Sequence, residues 1–83
     1  MTPAGRNRNP LAEEFGHRVR VRRIDKKLSR EQLGEFAGLT ARRLADVERG
    51  TSMPSLATVV ALHEALDVSW GVLLDGLGPL LDQ

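Results

Sequence analysis

Apolar side chains recur every three or four positions along most of the chain, which is the spacing of one face of an α-helix. The clearest example is the segment 29–50, in which two short apolar faces are separated by Gly38. We expect both faces to point into a core, and the glycine to end the first helix in a left-handed conformation. The apolar positions of the two faces are Leu33, Phe36, Ala37, Leu44 and Val47.

Polar residues flanking these faces predict where each helix begins and ends. Ser29 is followed three positions later by Gln32, which is the pattern of a capping box. Thr40 is a suitable N-cap for the second helix, and Gly50 a suitable end. Two short helices joined by a tight turn form a helix-turn-helix, whose second helix is able to enter a DNA major groove. The outer face of that second helix carries Ala41, Arg42, Arg43 and Asp46.

The flanking segments predict three further helices. The first runs from about residue 11 to residue 27, and the other two begin after Ser55 and Ser69. Since no strand-like alternation or internal repeat occurs, the sequence predicts an all-α bundle of five helices. The residues expected to face inward from these three helices are Leu11, Phe15, Val19, Leu56, Val59, Val60, Leu62, Leu66, Trp70, Leu73 and Leu74.

Composition narrows the class of protein. The 83 residues are enough for one small domain. The absence of cysteine excludes a disulfide framework and a thiolate metal site. No apolar run reaches membrane-spanning length, and the N-terminus lacks the apolar core of a signal peptide, so we expect a cytoplasmic protein that does not enter a membrane.

Charge is distributed unevenly along the chain. All 12 Lys and Arg residues precede Thr51, whereas residues 51–83 carry only acidic charges. This asymmetry favours a polyanion as partner of the basic part, although a chance skew of a solvated surface would look the same. Residues 1–10, which include Arg6 and Arg8, predict a flexible basic arm. It either follows DNA phosphates or a minor groove, or it is a plain disordered terminus.

The order and spacing of these features resemble the lambda-repressor-like Cro/XRE family of helix-turn-helix proteins. The resemblance covers roughly residues 11–76 and implies a compact five-helix domain with the helix-turn-helix at helices two and three. An apolar tail, residues 77–83, follows it. The resemblance rests on Phe15, Val19, Arg23, Leu28, Ser29, Leu33, Ala37, Gly38, Leu39, Thr40, Leu44, Val47, Glu48, Arg49, Gly50, Pro54, Ser55, Leu56, Leu62, Ala65, Leu66, Asp67, Val68, Ser69, Leu73 and Leu74.

An internal ion pair is one implication of the resemblance. Arg23 lies one turn beyond Val19 on the same face, where an unpaired guanidinium would be very costly to bury. The residues alone require only that some carboxylate accompany it. In the family the partner is the glutamate late in the recognition helix, which is Glu48 in this sequence, and the pair is structural.

The resemblance also implies which residues read DNA bases. Ala41, Arg42 and Asp46 occupy the family's base-reading positions, with Arg43 close by. An arginine donates two hydrogen bonds to guanine, and an alanine methyl contacts thymine. Arg43 reads either a base or a phosphate. Asp46 either accepts from a cytosine amino group or holds Arg42 or Arg43 in place, and we favour the second role.

Contacts to the DNA backbone are expected around the recognition helix, from hydroxyl, amide and guanidinium groups. Arg30 stands where the family has a glutamine, and we expect it to meet a phosphate rather than to be an ordinary surface arginine. The full set of predicted phosphate contacts is Ser29, Arg30, Gln32, Thr40 and Arg49.

These features predict a sequence-specific regulator of transcription that binds double-stranded DNA. We expect a repressor or autoregulator that acts as a homodimer on a two-fold operator. The alternative is an antitoxin-like or adaptor module that binds a protein, with DNA binding secondary. The expected dimer face, which could instead be internal core, comprises Trp70, Leu74, Leu77, Leu80 and Leu81.

Enzymes are the remaining functional class to consider. His63 and Asp67 lie four positions apart, as two metal ligands on one helix would. A third ligand would have to be His17 or another carboxylate, and no arrangement of roles supports it. We therefore predict no enzyme activity, no catalytic residue, no metal and no cofactor.

Overall fold

The computed structural model describes residues 9–82, so most of the predicted basic arm lies outside the described residues. Five α-helices and a final 3₁₀ helix follow one another along this range. They are α1 (Pro10–Asp25), α2 (Arg30–Ala37), α3 (Ala41–Arg49), α4 (Leu56–Leu66), α5 (Trp70–Leu74) and the 3₁₀ helix (Gly78–Asp82). Among the described residues, no helix combines the length and apolar character needed to cross a bilayer.

The predicted caps of the helix-turn-helix are confirmed. The Ser29 hydroxyl accepts a hydrogen bond from the Gln32 backbone N–H at 3.0 Å, and the Gln32 side chain accepts from the Ser29 N–H at 2.8 Å. Thr40 accepts from the Arg43 N–H at 3.0 Å. Gly38 and Gly50 end α2 and α3 with φ of 73°, a left-handed conformation that favours glycine.

Two other helix ends differ from expectation. Helix α1 stops at Asp25, before the predicted end, because Lys27 adopts a positive φ of 59° that a continuing helix does not allow. Ser69 occupies the N-cap of α5, but its hydroxyl makes no capping hydrogen bond within the part of the chain that the structure describes.

Each α-helix contributes at least one side chain to a single core. The central side chains of the helix-turn-helix, Leu33 and Leu44, have no exposed surface. Their packing fixes α2 and α3 against the other helices. The buried core consists of Phe15, Val19, Leu33, Leu44, Val47, Leu62, Leu66, Leu73 and Leu77.

Five side chains that were expected to face inward are substantially exposed. Helix α2 shows the reason most clearly. Leu33 and Gly34 are the buried residues of this helix. At about 100° per residue, the centre of the buried side lies between these two positions, and Phe36 points away from it. The apolar stripes of α4 and α5 are likewise wider than the surface their neighbours cover. The exposed fractions are 68% for Phe36, 78% for Leu56, 39% for Val60, 43% for Trp70 and 41% for Leu74.

The apolar tail packs onto the domain. Leu77 is buried in the core and Leu80 lies against it, while the 3₁₀ helix contacts α1. Leu81, in contrast, is 69% exposed. The packed part of the chain therefore extends beyond residue 76, where the family resemblance ends.

Helices α1 and α3 approach each other closely at Gly16. A Cβ atom at this position would overlap the carbonyl oxygen of Val47 and would come within 2.9 Å of that of Glu48. Any larger residue would push the helices apart, and such overpacking is destabilising. The glycine therefore sets the distance between α1 and α3.

A buried ion pair joins the same two helices. Arg23 on α1 donates from Nε to Glu48 Oε2 at 2.6 Å and from NH2 to Glu48 Oε1 at 3.2 Å. Its NH1 donates to the carbonyl of Leu28 at 2.8 Å, in the connection to α2. The side chains of Arg23 and Glu48 are 10% and 1% exposed. This two-point contact holds the C-terminal half of α3 in place.

Removing Arg23 should therefore destabilise the fold strongly. We expect Arg23→Ala to lower the free energy of unfolding by about 3–5 kcal/mol, because it leaves a buried carboxylate incompletely compensated. The measurement is urea denaturation followed by circular dichroism.

Arg22→Ala is the matched control. Arg22 pairs with Asp25 at 3.3 Å with side chains 43% and 59% exposed, and such a solvent-accessible pair contributes at most about 1 kcal/mol. Equal small losses in the two variants would contradict a structural role for the buried pair.

Candidate DNA-binding surface

Helix α3 presents the predicted base-reading residues away from the core. Leu44 and Val47 are buried, which orients the helix, and Glu48 is anchored by Arg23. The opposite side consequently faces solvent. Arg42 and Arg43 are exposed there, with Ala41 and Asp46 half-buried beside them.

Arg42 and Arg43 differ from Arg49, the other arginine of α3, in having no partner among the described residues. Within residues 9–82, neither side chain makes an ion pair or a hydrogen bond. Their guanidinium groups are therefore available to an external acceptor. In contrast, carboxylates engage Arg18, Arg22, Arg23, Arg30 and Arg49.

Asp46 does not hold Arg42 or Arg43, so the role favoured for it from the sequence is wrong. Its Oδ1 instead accepts from NH2 of Arg49 at 2.6 Å. Side chains on a helix lean toward its N-terminus, so Arg49 extends back over Asp46, whereas Arg42 and Arg43 extend away from it. The carboxylate thus moderates the charge of Arg49 and, within the described residues, makes no pair with Arg42 or Arg43.

Three of the predicted phosphate-contacting residues lie at helix starts. Ser29, Gln32 and Thr40 are exposed, and their oxygen atoms accept the capping hydrogen bonds of α2 and α3. Each keeps a donor, because a hydroxyl retains its O–H and an amide its NH₂ group. The caps therefore hold these donors in place without consuming them.

Arg30 makes a contact that the sequence did not indicate. Its Nε donates to Glu48 Oε1 at 3.0 Å, while its side chain stays 39% exposed. The two residues are 18 positions apart, so no local spacing predicts the contact. The only signal was the replacement of the family's glutamine by arginine at this position.

The predicted dimer face is only partly on the surface. Trp70, Leu74 and Leu81 are exposed, Leu80 is half-buried and Leu77 belongs to the core. Beside them lies an apolar groove of about 120 Å³, lined by Leu11, Phe15, Met53, Pro54, Val59, Leu74 and Leu77.

His63 packs against an aromatic ring. Its imidazole stacks on the indole of Trp70, with ring centroids 3.5 Å apart and an interplanar angle of 5°. Among the described residues, no group of three His, Asp or Glu side chains is arranged to hold a metal ion. The buried Nδ1 of His63 has no hydrogen-bond partner among the described residues.

Comparison with known proteins identifies the family. The helix-turn-helix family model HTH_3 matches residues 19–73. The immunity repressor protein of Bacillus phage phi105 is 42% identical over 53 residues, which are 64% of this chain and 37% of that protein. The transcriptional repressor RghR of Bacillus subtilis is 33% identical over 63 residues, 75% of this chain and 47% of RghR. The chain thus spans less than half the length of either repressor.

A solved structure confirms the fold class. The crystal structure of the restriction-modification controller protein C.AhdI from Aeromonas hydrophila superimposes with a TM-score of 0.72 at 36% identity. The alignment covers 76% of this chain and 96% of C.AhdI. The family is one of transcriptional regulators and not of enzymes, as the sequence predicted. The helices and caps of this chain agree with both comparisons. The chain therefore belongs to the lambda-repressor-like Cro/XRE family of helix-turn-helix proteins.

Proposed function

We propose that this protein is a sequence-specific transcriptional regulator, a repressor or autoregulator, that inserts α3 into the major groove of double-stranded DNA. One observation carries the proposal. Arg42 and Arg43 are exposed on α3 and have no protein partner within the described residues. Two adjacent cations without counter-charges favour a polyanion as ligand. The relatives described above are named repressors, which supports the same conclusion.

Base reading is assigned to the outer face of α3. Arg42 donates a bidentate pair of hydrogen bonds to a guanine, and the Ala41 methyl contacts a thymine. Arg43 reads a neighbouring base or a phosphate. The pairing of Asp46 with Arg49 reduces charge repulsion between the acidic residue and DNA, because the carboxylate already has a cationic partner.

Phosphate contacts are assigned to the polar groups that surround α3. Ser29, Gln32 and Thr40 have fixed donors at the starts of α2 and α3. Arg30 and Arg49 add guanidinium groups, each of which donates one N–H to a carboxylate and keeps its other N–H donors. Such contacts set the orientation of the domain on the duplex, and the bases then select the sequence.

A homodimer on a two-fold operator completes the proposal. One recognition helix reads only a few base pairs, so two copies spaced by about one helical turn, roughly 34 Å, give useful specificity. The exposed apolar side chains of Trp70, Leu74 and Leu81 support a self-complementary face at the C-terminal end.

A protein-binding module is the second candidate, and one observation favours it. Phe36 and Leu56 are 68% and 78% exposed, and apolar surface of this kind also suits a protein partner. Binding to random duplex at several salt concentrations separates the two functions. DNA binding predicts that log K falls with log salt by about 0.9 per phosphate neutralised, whereas salt-insensitive or absent binding favours the second candidate.

Replacing Arg42 should relax specificity at one base pair. After selection of preferred duplexes from a random pool, we expect Arg42→Ala to lose about 1–3 kcal/mol on the preferred sequence and to accept other bases at one position. Arg20→Ala is the control, since Arg20 is exposed and unpaired among the described residues but lies on α1. An equal loss on all sequences would show that Arg42 contacts only phosphate.

Placing a charge on the predicted dimer face should separate the subunits. We expect Leu81→Glu to shift the sedimentation profile from dimer to monomer, because an uncompensated carboxylate would be buried between copies. Phe36→Glu is a matched control, since the two side chains are 69% and 68% exposed. A dimer that survives in Leu81→Glu, or is lost only in Phe36→Glu, would move the interface away from the C-terminal end.

A further inference from the structure

We propose that Glu48 is a positioning residue for DNA binding, because it holds the Arg30 guanidinium in a fixed orientation from which its terminal nitrogens bind a backbone phosphate. The inference deepens the proposed function and rests on it. It concerns three residues from three helices, Arg23 on α1, Arg30 on α2 and Glu48 on α3.

The Glu48 carboxylate is shared between two guanidinium groups. Its Oε2 accepts from Arg23 Nε at 2.6 Å. Its Oε1 accepts from Arg23 NH2 at 3.2 Å and from Arg30 Nε at 3.0 Å. The carboxylate is 1% exposed, so it cannot itself reach a ligand, but it fixes whatever donates to it.

Arg30 is only partly used by this contact. Among the described residues, only the Nε of Arg30 has an acceptor for its hydrogen bond. The N–H bonds of both terminal nitrogens therefore remain available to a ligand. The side chain is 39% exposed, compared with 10% for Arg23. The accessible donors of the cluster therefore belong to Arg30.

The charges of the cluster favour an anion at the same place. Two guanidinium groups and one carboxylate leave a single net positive charge. Since the Arg23 side chain is nearly buried, the positive charge that a ligand can reach is that of Arg30. A phosphate oxygen suits the planar, forked donor arrangement of a guanidinium.

Holding Arg30 beforehand should also reduce the cost of binding. A free arginine on the surface loses side-chain entropy when it is fixed on a ligand. The hydrogen bond to Glu48 removes part of that freedom in the unbound protein. The same carboxylate anchors α3 to α1, so the phosphate contact and the reading helix keep a constant spacing.

Replacing Arg30 with lysine distinguishes the effect of a positioned guanidinium from the effect of a positive charge alone. A lysine ammonium retains the charge but has no separate Nε–H and terminal fork. It is therefore unable to donate to Glu48 and, at the same time, bind a phosphate with the same geometry. The experiment compares Arg30→Lys and Arg30→Ala with the wild type, using Arg20→Lys and Arg20→Ala on α1 as matched controls.

Affinity for a duplex selected by the wild type is measured at several salt concentrations, after circular dichroism has confirmed folding. We expect Arg30→Ala to bind on the order of tenfold more weakly, as for loss of a charge-assisted hydrogen bond. Its log–log salt slope should be shallower by about 0.9. Arg30→Lys should keep the wild-type salt slope but lose most of the affinity that Arg30 contributes. Wild-type affinity in Arg30→Lys, or an unchanged slope in Arg30→Ala, would overturn the proposal.

The contact with Glu48 is tested independently of any substitution in the core. In the nitrogen-15 spectrum of the wild type without DNA, the Arg30 Nε–H signal should exchange with water more slowly than that of Arg20. Equal exchange rates would show that Glu48 does not hold Arg30. If the wild type binds no duplex in a salt-dependent way, the proposed function fails; if it does and Arg30→Lys binds equally well, only this inference fails.

Discussion

The carboxylate of Glu48 is the constraint on which the arrangement of the helix-turn-helix depends. The Glu48 side chain is 1% exposed, so its charge requires compensation inside the protein. Within the described residues, the compensating charges are those of Arg23 on α1 and Arg30 on α2. Satisfying this one group therefore fixes three helices relative to each other. Gly16 complements it, because only a residue without a side chain lets α1 approach the end of α3.

The surface of α3 follows from the same arrangement. With Leu44, Val47 and Glu48 directed inward, the helix exposes Arg42 and Arg43. Most other arginines in residues 9–82 are matched with carboxylates, so the unmatched pair on α3 stands out chemically. A rigid helix that presents two free guanidinium groups is the physical basis for proposing DNA as the partner.

Local features were predictable from the sequence, and features that depend on neighbouring helices were less so. The capping box at Ser29, the left-handed Gly38 and the helix end at Gly50 depend on adjacent residues, so their patterns were sufficient. The exposure of Phe36 depends on how much surface the other helices cover, which apolar spacing alone does not show. The contact of Arg30 with Glu48 joins distant parts of the chain, and only the packing reveals it.

A nuclear magnetic resonance titration with a selected duplex tests the central claim most directly. The account predicts that backbone amide shifts, at a salt concentration that permits specific binding, are concentrated in α3 and at the start of α2. They should include Arg42 and Arg43, while the middle of α4 changes little. Shifts confined to the exposed apolar side chains, with α3 unchanged, would contradict the claim that α3 is the surface that binds DNA.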